Sequence, residues 1–485
     1  MKSVVSERKY ELSLKARVPQ LAGKGITQEA PAEHKLAADY YDTKDFQLAR
    51  AGIALRRSSG TGWCLRLPFA AGTGQELRFP LGEDAKVPAP VATLVRAFTL
   101  DRKLRPVAQV RTDRFTHRLT DASGRTLATL ADDHVTAEVL GGQELRLDRW
   151  RELDVELAAE SAPELLDRLD RSLRKRGAES AWWPSKLQRL LGDDTADARG
   201  SREALPAYLR EHFERLRRAD LGFRVGADDS VHQLRVAARK LRSALQTFKP
   251  LVGKKKAVAV AEELKWLGGE LAPARDAEVS QVRLESCLDV VPSELVFGPL
   301  RQYLTRDYAR TSQTELARAA EALSSTRYVT LLRSIAALLD QMPPVRKKRL
   351  RKPMRKTARK LYQATAATEG LSGVELEKAL HNVRKKAKRA RYAADAVRPV
   401  FGKKLRTWRK NVKAVQQTLG KHQDSVVDRE ALRHFAIDGF SENQNTFTFG
   451  LLYGRDEAAA SGLRDRFADE WRTLRKGKRP AWLKV

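Results

Sequence analysis

Residues 231–245 read VHQLRVAARKLRSAL, and residues 380–394 read LHNVRKKAKRARYAA. In each, a His is followed by basic residues 3, 7, 8 and 10 positions later. His232 is followed by Arg235, Arg239, Lys240 and Arg242, and His381 by Arg384, Lys388, Arg389 and Arg391. The match continues downstream, where LAPARDAEV (271–279) aligns with LGKHQDSVV (419–427) and Asp276 with Asp424. The two Asp residues lie 44 and 43 positions after their His. Two markers that keep their separation this closely identify an internal repeat, so the second half of the chain reads as a duplicated unit.

Helix geometry gives the repeat a shape. At about 100° per residue, offsets 0, 3, 7 and 10 fall within a stripe about 80° wide. Leu234, Leu241 and Leu245 fall on the opposite side, as a packing seam would. Neither helix carries a local counter-charge, since no Asp or Glu occurs from 231 to 261 or from 378 to 394. Like charges three and four residues apart repel. A bound anion would offset that repulsion, and phosphate suits guanidinium groups because they bind its oxygens in pairs. A protonated His would add a pH-dependent donor. The stripes lack the stacking aromatics and base-reading side chains of nucleic-acid readers; Tyr392 follows the second stripe, but Ser243 stands in its place in the first. A bare phosphate chain therefore fits better than single-stranded RNA, while binding to a duplex backbone stays open on this ground.

The charge distribution agrees. The 485 residues hold 92 Lys+Arg and 61 Asp+Glu, a net charge of +31. Residues 1–200 hold 33 basic and 29 acidic residues (+4), and residues 201–485 hold the remaining 59 and 32 (+27). A near-neutral half joined to a strongly basic half reads as two domains, the second with a polyanionic partner. The two cysteines, Cys64 and Cys287, show no pairing or metal spacing. No signal-like segment opens the chain and no apolar run approaches the length of a membrane span. A cytoplasmic protein without a membrane partner is expected.

The first half reads as strands. KYELSL, IALRRS, WCLRLP, QELRFPL, FTHRLT, TLATLADDHVTAEV and WRELDVELA alternate with a period near two, separated by breaks such as SSGTGW. VPAPVATLVRAFT and SAPELLDRLDRSLRKRG read as helices. In WRELDVEL, Trp150, Glu152, Asp154 and Glu156 share one face, and Glu7, Lys9 and Glu11 share a face in SERKYEL. A closed sheet with a charged interior explains such strands. The polar stretch GDDTADARGSREALP (192–206) marks a boundary, beyond which long helices prevail. In PPVRKKRLRKPMRKTARK (343–360) the prolines interrupt the helical pattern, so the basic run is either helix or connector. The fold class is thus α+β: an N-terminal antiparallel β-barrel or tunnel domain (3–195), followed by an all-α domain (203–485) of two repeated helical halves, about 203–342 and 346–485.

The second half resembles the CHAD domain, a helical family of two repeats whose histidines and basic residues bind inorganic polyphosphate. The resemblance assigns that role to His232, Arg235, Arg239, Lys240, Arg242, His381, Arg384, Lys388, Arg389 and Arg391. RDAEV (275–279) and QDSVV (423–427) resemble the Asp-bearing segments that follow each stripe. The first half resembles the CYTH family of triphosphate tunnel domains, which occurs in tandem with CHAD. VSERK (5–9) resembles its opening Glu-x-Glu-x-Lys strand, with Val5 in place of the first Glu. In the next hairpin, Arg56 matches a Leu-Arg-x-Arg element whose second Arg is replaced by Ser58.

The resemblance implies a tunnel in which Lys9, Arg56, Arg66, Arg78, Arg111, Arg114 and Lys186 hold a triphosphate. Glu7, Glu152, Asp154 and Glu156 would hold Mg²⁺ or Mn²⁺ if the domain is catalytic. The departures at Val5 and Ser58 remove a metal or water contact and a phosphate contact. The leading expectation is a protein that binds inorganic polyphosphate and associates with polyphosphate granules. The alternative is a metal-dependent inorganic triphosphatase or polyphosphatase that acts on tripolyphosphate in the tunnel while the helical domain recruits substrate. Nucleic-acid binding ranks third, and no individual catalytic residue is assigned.

Overall fold

In the computed structural model the chain divides into two units, residues 1–199 and 200–485. The structure describes residues 2–21, 25–58, 60–68, 73–82, 86–141, 146–158, 161–181, 183–192, 204–298 and 300–483; the side chains of 2–6, 73–74, 276–281, 300, 303–304 and 306–312 lie outside the description. The side chains of Val5 and Asp276 are among the latter.

The first unit is built on ten antiparallel strands: β1 (Lys2–Leu12), β2 (Thr27–Gln28), β3 (Ala32–Asp42), β4 (Ala54–Ser58), β5 (Gly62–Pro68), β6 (Thr73–Phe79), β7 (Arg105–Thr120), β8 (Thr126–Val139), β9 (Arg146–Leu157) and β10 (Glu179–Ser180). Their order is β10-β1-β6-β5-β4-β3-β7-β8-β9, and β1 also pairs with β9. The closure uses one strand twice. Lys2–Ser6 pairs with β6, whereas Glu7–Leu12 pairs with β9. Short helices α1 (Gln47–Arg50), α2 (Ala89–Leu94), α3 (Arg96–Thr99), α4 (Glu164–Lys175) and α5 (Lys186–Leu191) complete the unit. β3 is absent from the alternation reading, because AEHKLAADYYD has no sustained period of two. The β4–β5 turn needs Gly62: its φ is +84°, and a Cβ there would meet the Phe79 carbonyl oxygen at 2.5 Å.

Alternation sends one set of side chains outward and the other into the barrel. Outward, Tyr10, Leu119, Leu130, Leu153 and Val155 pack with Leu166, Leu169 and Leu173 of α4. Inward, one end is filled by Tyr40, Val110, Val135 and Trp150 against Leu187, Leu190 and Leu191 of α5. The rest of the interior is charged.

The second unit is helical: α6 (Ala204–Arg224), α7 (Ser230–Phe248), α8 (Lys254–Glu270), α9 (Ala272–Leu288), α10 (Leu300–Ser324), α11 (Thr326–Asp340), α12 (Lys347–Ala366), α13 (Gly373–Val397), α14 (Gly402–Ser441) and α15 (Phe447–Lys476). The two repeat motifs lie on α7 and α13. The downstream Asp segments lie on α9 and α14. The single 40-residue α14 stands where the first half has α8 and α9, which part at Leu271 just before Pro273. Leu234, Leu241 and Leu245 are buried, as the helical reading requires. Fully burying each such side chain contributes about 1.5–3 kcal/mol. Of the 343–360 run, residues 347–360 lie in α12, with Pro353 inside the helix, and residues 343–346 precede it.

Candidate functional site

The barrel interior gathers most of the expected tunnel residues through register. Glu7 pairs across from Glu156, Lys9 from Asp154 and Glu11 from Glu152, so their side chains share the inner face. Arg56, Cys64 and Arg78 align across β4, β5 and β6, and Arg66 stands opposite Glu76. Arg114 stands opposite Asp133, which stands opposite Glu152. Lys186 enters from α5, whose N-cap Ser185 accepts from the Gln188 backbone N–H.

Each of these cations has a carboxylate within 4 Å. Lys9 Nζ donates to Asp154 Oδ2 at 2.7 Å. Arg114 clasps Asp133 through Nε and Nη2, both at 2.7 Å. Lys186 Nζ reaches Asp133 at 2.7 Å and also pairs with Glu152, whose other oxygen accepts from Trp150 Nε1 at 2.8 Å. Arg66 pairs with Glu7, and Glu76 faces Arg56 at 3.4 Å and Arg78 at 3.3 Å. Burial disfavours the Lys9 ammonium, but Asp154 and Glu152 outweigh it and hold its pKa above the ordinary value. Burial likewise disfavours the Asp133 carboxylate, yet Lys186 and Arg114 hold it well below the usual range. Glu156, desolvated and beside Asp154, is pushed up.

One expectation is corrected here. Arg111 does not join the tunnel. It is exposed and stands opposite Ala37 and Thr136, on the other face from Arg114. The reason is parity, since two residues three apart in a regular strand point to opposite sides. The metal set Glu7, Glu152, Asp154 and Glu156 shares a face but forms no metal-holding group; among the described residues, no three His, Cys, Asp or Glu side chains do. Lysines and arginines engage Glu7, Glu152 and Asp154 instead, with one buried oxygen, Asp154 Oδ1, left without a partner. A Mg²⁺ or Mn²⁺ held by these carboxylates would displace Lys9, Arg66 and Lys186 from them. Asp133 and Glu76, central to the network, escape the motif comparison. Their signal was parity, but parity without register does not say which cation each meets.

The helical unit is different. α7 packs against α6, α8 and α13. α7 and α13 meet at the high-numbered ends of their stripes. Arg239 Nε donates to Tyr392 Oη at 3.1 Å, and Arg389 donates to Gln246. Arg239 and Arg384 lie in the field of Lys388, Arg242 in that of Arg389, and Arg391 in that of Lys240. Offset 8 of each helix thus meets offset 10 of the other, the reciprocity of an approximate two-fold relation.

These cations are under-compensated. Arg384 faces Asp424 at 3.6 Å. Among the described residues, Arg239, Lys240, Arg242, Lys388, Arg389 and Arg391 have no carboxylate within ion-pair distance. The buried Nε atoms of Arg242, Arg384 and Arg391 have no hydrogen-bond partner. Desolvation, reinforced by Arg384 and Arg239, lowers Lys388 to about 8. Desolvation and Arg275 also lower His232. Arg235 donates to the Ala272 carbonyl at 3.2 Å, and His381 Nδ1 contacts Gln423 Oε1. All ten stripe residues lie on this helix pair, although Arg389 turns its guanidinium toward Gln246 and α12.

Comparison with known proteins agrees with the division. The CYTH domain family matches residues 5–179, and the CHAD domain family matches residues 207–433. Two Mycobacterium tuberculosis proteins, the uncharacterized proteins MT2285 (strain CDC 1551 / Oshkosh) and Rv2226 (strain ATCC 25618 / H37Rv), are each 34% identical to this chain over 510 residues, covering 98% of it and 97% of the relative. The crystal structure of the CHAD domain from the plant Ricinus communis is 23% identical and covers 57% of this chain and 92% of its own, with a TM-score of 0.46. PptA from Streptomyces chartreusis is 21% identical and covers 56% and 98%, also at 0.46. Among the described residues, no helix is long and apolar enough to cross a membrane. With both family matches in this order, and a relative matched along nearly its whole length, the chain belongs to the family of proteins in which a CYTH domain precedes a CHAD domain.

Proposed function

We propose that this protein binds inorganic polyphosphate along the paired cationic stripes of α7 and α13. CYTH and CHAD domains occur in proteins related to polyphosphate and triphosphate. The observation that carries the reading is the reciprocal meeting of two stripes at Arg239, Lys240, Arg242, Lys388, Arg389 and Arg391, which have no carboxylate within ion-pair distance among the described residues. A chain with one negative charge per phosphate, lying along both helices, supplies the missing counter-charge at many points at once. Once one stripe is engaged, binding to the other becomes intramolecular. Association with polyphosphate granules follows as a cellular consequence.

A second reading, metal-dependent hydrolysis of tripolyphosphate in the tunnel, has the retained Lys9, Arg56, Arg66, Arg114 and Lys186 in its favour. Electrostatics favour the first reading. Every tunnel cation is already paired, so a phosphate entering there must displace carboxylates. One entering the helical groove need not. CYTH domains are generally metal-dependent, so the two readings separate in one experiment. Purified full-length protein is titrated with long-chain polyphosphate, tripolyphosphate and duplex DNA at physiological salt, and phosphate release is followed with and without Mg²⁺ or Mn²⁺. The first reading expects polyphosphate to outcompete DNA of equal charge, with weak or absent release. Displacement of polyphosphate by DNA would overturn it. Rapid metal-dependent release, lost in Glu152→Gln, would make the tunnel reading primary.

A further inference from the structure

The helical unit contains a second basic feature outside the stripes. α12 carries Lys348, Lys352, Lys356 and Lys360, spaced four apart along one row, and all four line a cavity of about 800 Å³. Lys249, just beyond α7, and Arg389 of α13 line the same cavity from other elements. The rest of its lining is mixed: Pro250, Leu251, Val258 and Ala261 form an apolar stretch beside the polar Gln246, Thr247 and Thr357, a further cation, Arg349, and one acid, Glu262. None of the seven cations has a carboxylate within ion-pair distance among the described residues. Lys360 titrates below the ordinary lysine range because of desolvation, with Lys356, Lys386, Arg389 and Lys249 adding to the effect. The row therefore shares one positive field with groups from two other helices. A merely solvated face would leave these charges apart and interleave acids.

We propose that this cavity is a separate site for a compact, multiply phosphorylated small molecule whose phosphates project from more than one side of its body. Three features argue for that class. The volume lies in the range of small-molecule sites, about 300–1,000 Å³. Cations approach from α12, α13 and the end of α7, so a linear anion lying along one row would leave the others unmet. The apolar stretch Pro250, Leu251, Val258 and Ala261 offers nothing to phosphate but suits the carbon face of a ring. Lysines on flexible stems can follow phosphates around such a body, as the planar guanidinium cannot. Arg389 is common to the stripes and the cavity, whereas the stripe cations Arg239 and Lys388 are not in the cavity lining, so the two readings separate at those two residues and at the α12 lysines.

The test uses full-length protein and calorimetric titration with two probes of comparable charge, myo-inositol hexakisphosphate and linear hexaphosphate, beside long-chain polyphosphate. The variant K352A/K356A removes two exposed side chains and leaves the buried face of α12 intact. Expected is a loss of at least about tenfold in inositol hexakisphosphate affinity, with long-chain polyphosphate held within about twofold. R239A/K388A should do the reverse. Wild-type protein should prefer the compact probe to linear hexaphosphate at the α12 site. If K352A/K356A weakened all three ligands alike, the cavity would be an extension of the polymer groove, and the proposal would fall. Unchanged inositol hexakisphosphate binding, or equal loss for the ring and linear probes, would also overturn it. Failure of long-chain polyphosphate to bind wild-type protein would refute the stripe reading alone.

Discussion

The Arg239 guanidinium donates to the Tyr392 hydroxyl at 3.1 Å, linking equivalent helices of the two repeats across 153 residues of sequence. Tyr392 is buried, so this bond holds Arg239 against α13 beside Lys388 and Arg384. The arrangement joins the two stripes at their high-numbered ends. Neutralising Arg235 and Arg239 should therefore weaken long-chain polyphosphate binding about as much as neutralising Arg384 and Lys388, roughly 10- to 100-fold in either case. Short chains, reaching one stripe, should bind weakly throughout and lose less. Titration of both double variants against short and long chains decides it; one silent pair would separate the stripes.

Lys388 supplies a pH dependence. In the free protein its pKa is lowered to about 8 from 10.5, because desolvation and neighbouring arginines disfavour the ammonium. A bound phosphate favours the ammonium and raises that value. Above pH 8, binding must then take up protons, and affinity falls as pH rises from about 8 toward 10. Lys388→Arg keeps the charge across this range and should flatten the profile. Calorimetry in two buffers of different ionisation enthalpy reads the proton uptake directly.

His212 is 2% exposed, packs edge-on to Tyr208 at 4.2 Å, and has no hydrogen-bond partner on either ring nitrogen. Desolvation, with Lys240 and Arg215, lowers it to about 3. Because the folded value lies below the unfolded value near 6.5, its contribution is intact above pH 6.5. Stability is lost as pH falls from 6.5 toward 3, on the order of 5 kcal/mol in total. His212→Phe keeps the aromatic contact and removes the titration. Chemical denaturation at pH 7 and pH 4 should show a smaller acid loss in the variant; an unchanged loss would place the acid sensitivity elsewhere.

Asp133 is fully buried and holds both Arg114 and Lys186. Asp133→Asn leaves two cations short of their counter-charge and should destabilise the first unit by about 3 kcal/mol or more. By contrast, Arg111→Ala lies on the outer face and should change tripolyphosphate binding by less than about twofold. Urea unfolding followed by tryptophan fluorescence, with tripolyphosphate titration of each variant, checks both.

Local sequence determined a good deal. A period near two with charges on one parity required a sheet with a charged interior. The spacing 0, 3, 7, 10 required a helix with its cations on one side and Leu234, Leu241 and Leu245 on the other. The duplication required two such helices. These features were legible because each follows from rotation per residue along a single element. Parity also separates Arg111 from Arg114, and a reading by motif alone overlooked it.

Tertiary structure decided the partners. Two inward-facing strands do not reveal their register, so nothing in the chain order foretold that Asp133 would hold Arg114 and Lys186. Nor did it foretell that Lys9, Lys186 and Arg66 would engage the carboxylates expected to hold a metal. An isolated stripe likewise does not say what it faces. Packing of α13 against α7 brought offset 8 beside offset 10, and packing of α12 placed its lysine row around Arg389. Charges separated by a hundred residues or more become neighbours only when apolar seams bring their helices together, and that seam geometry depends on both surfaces at once.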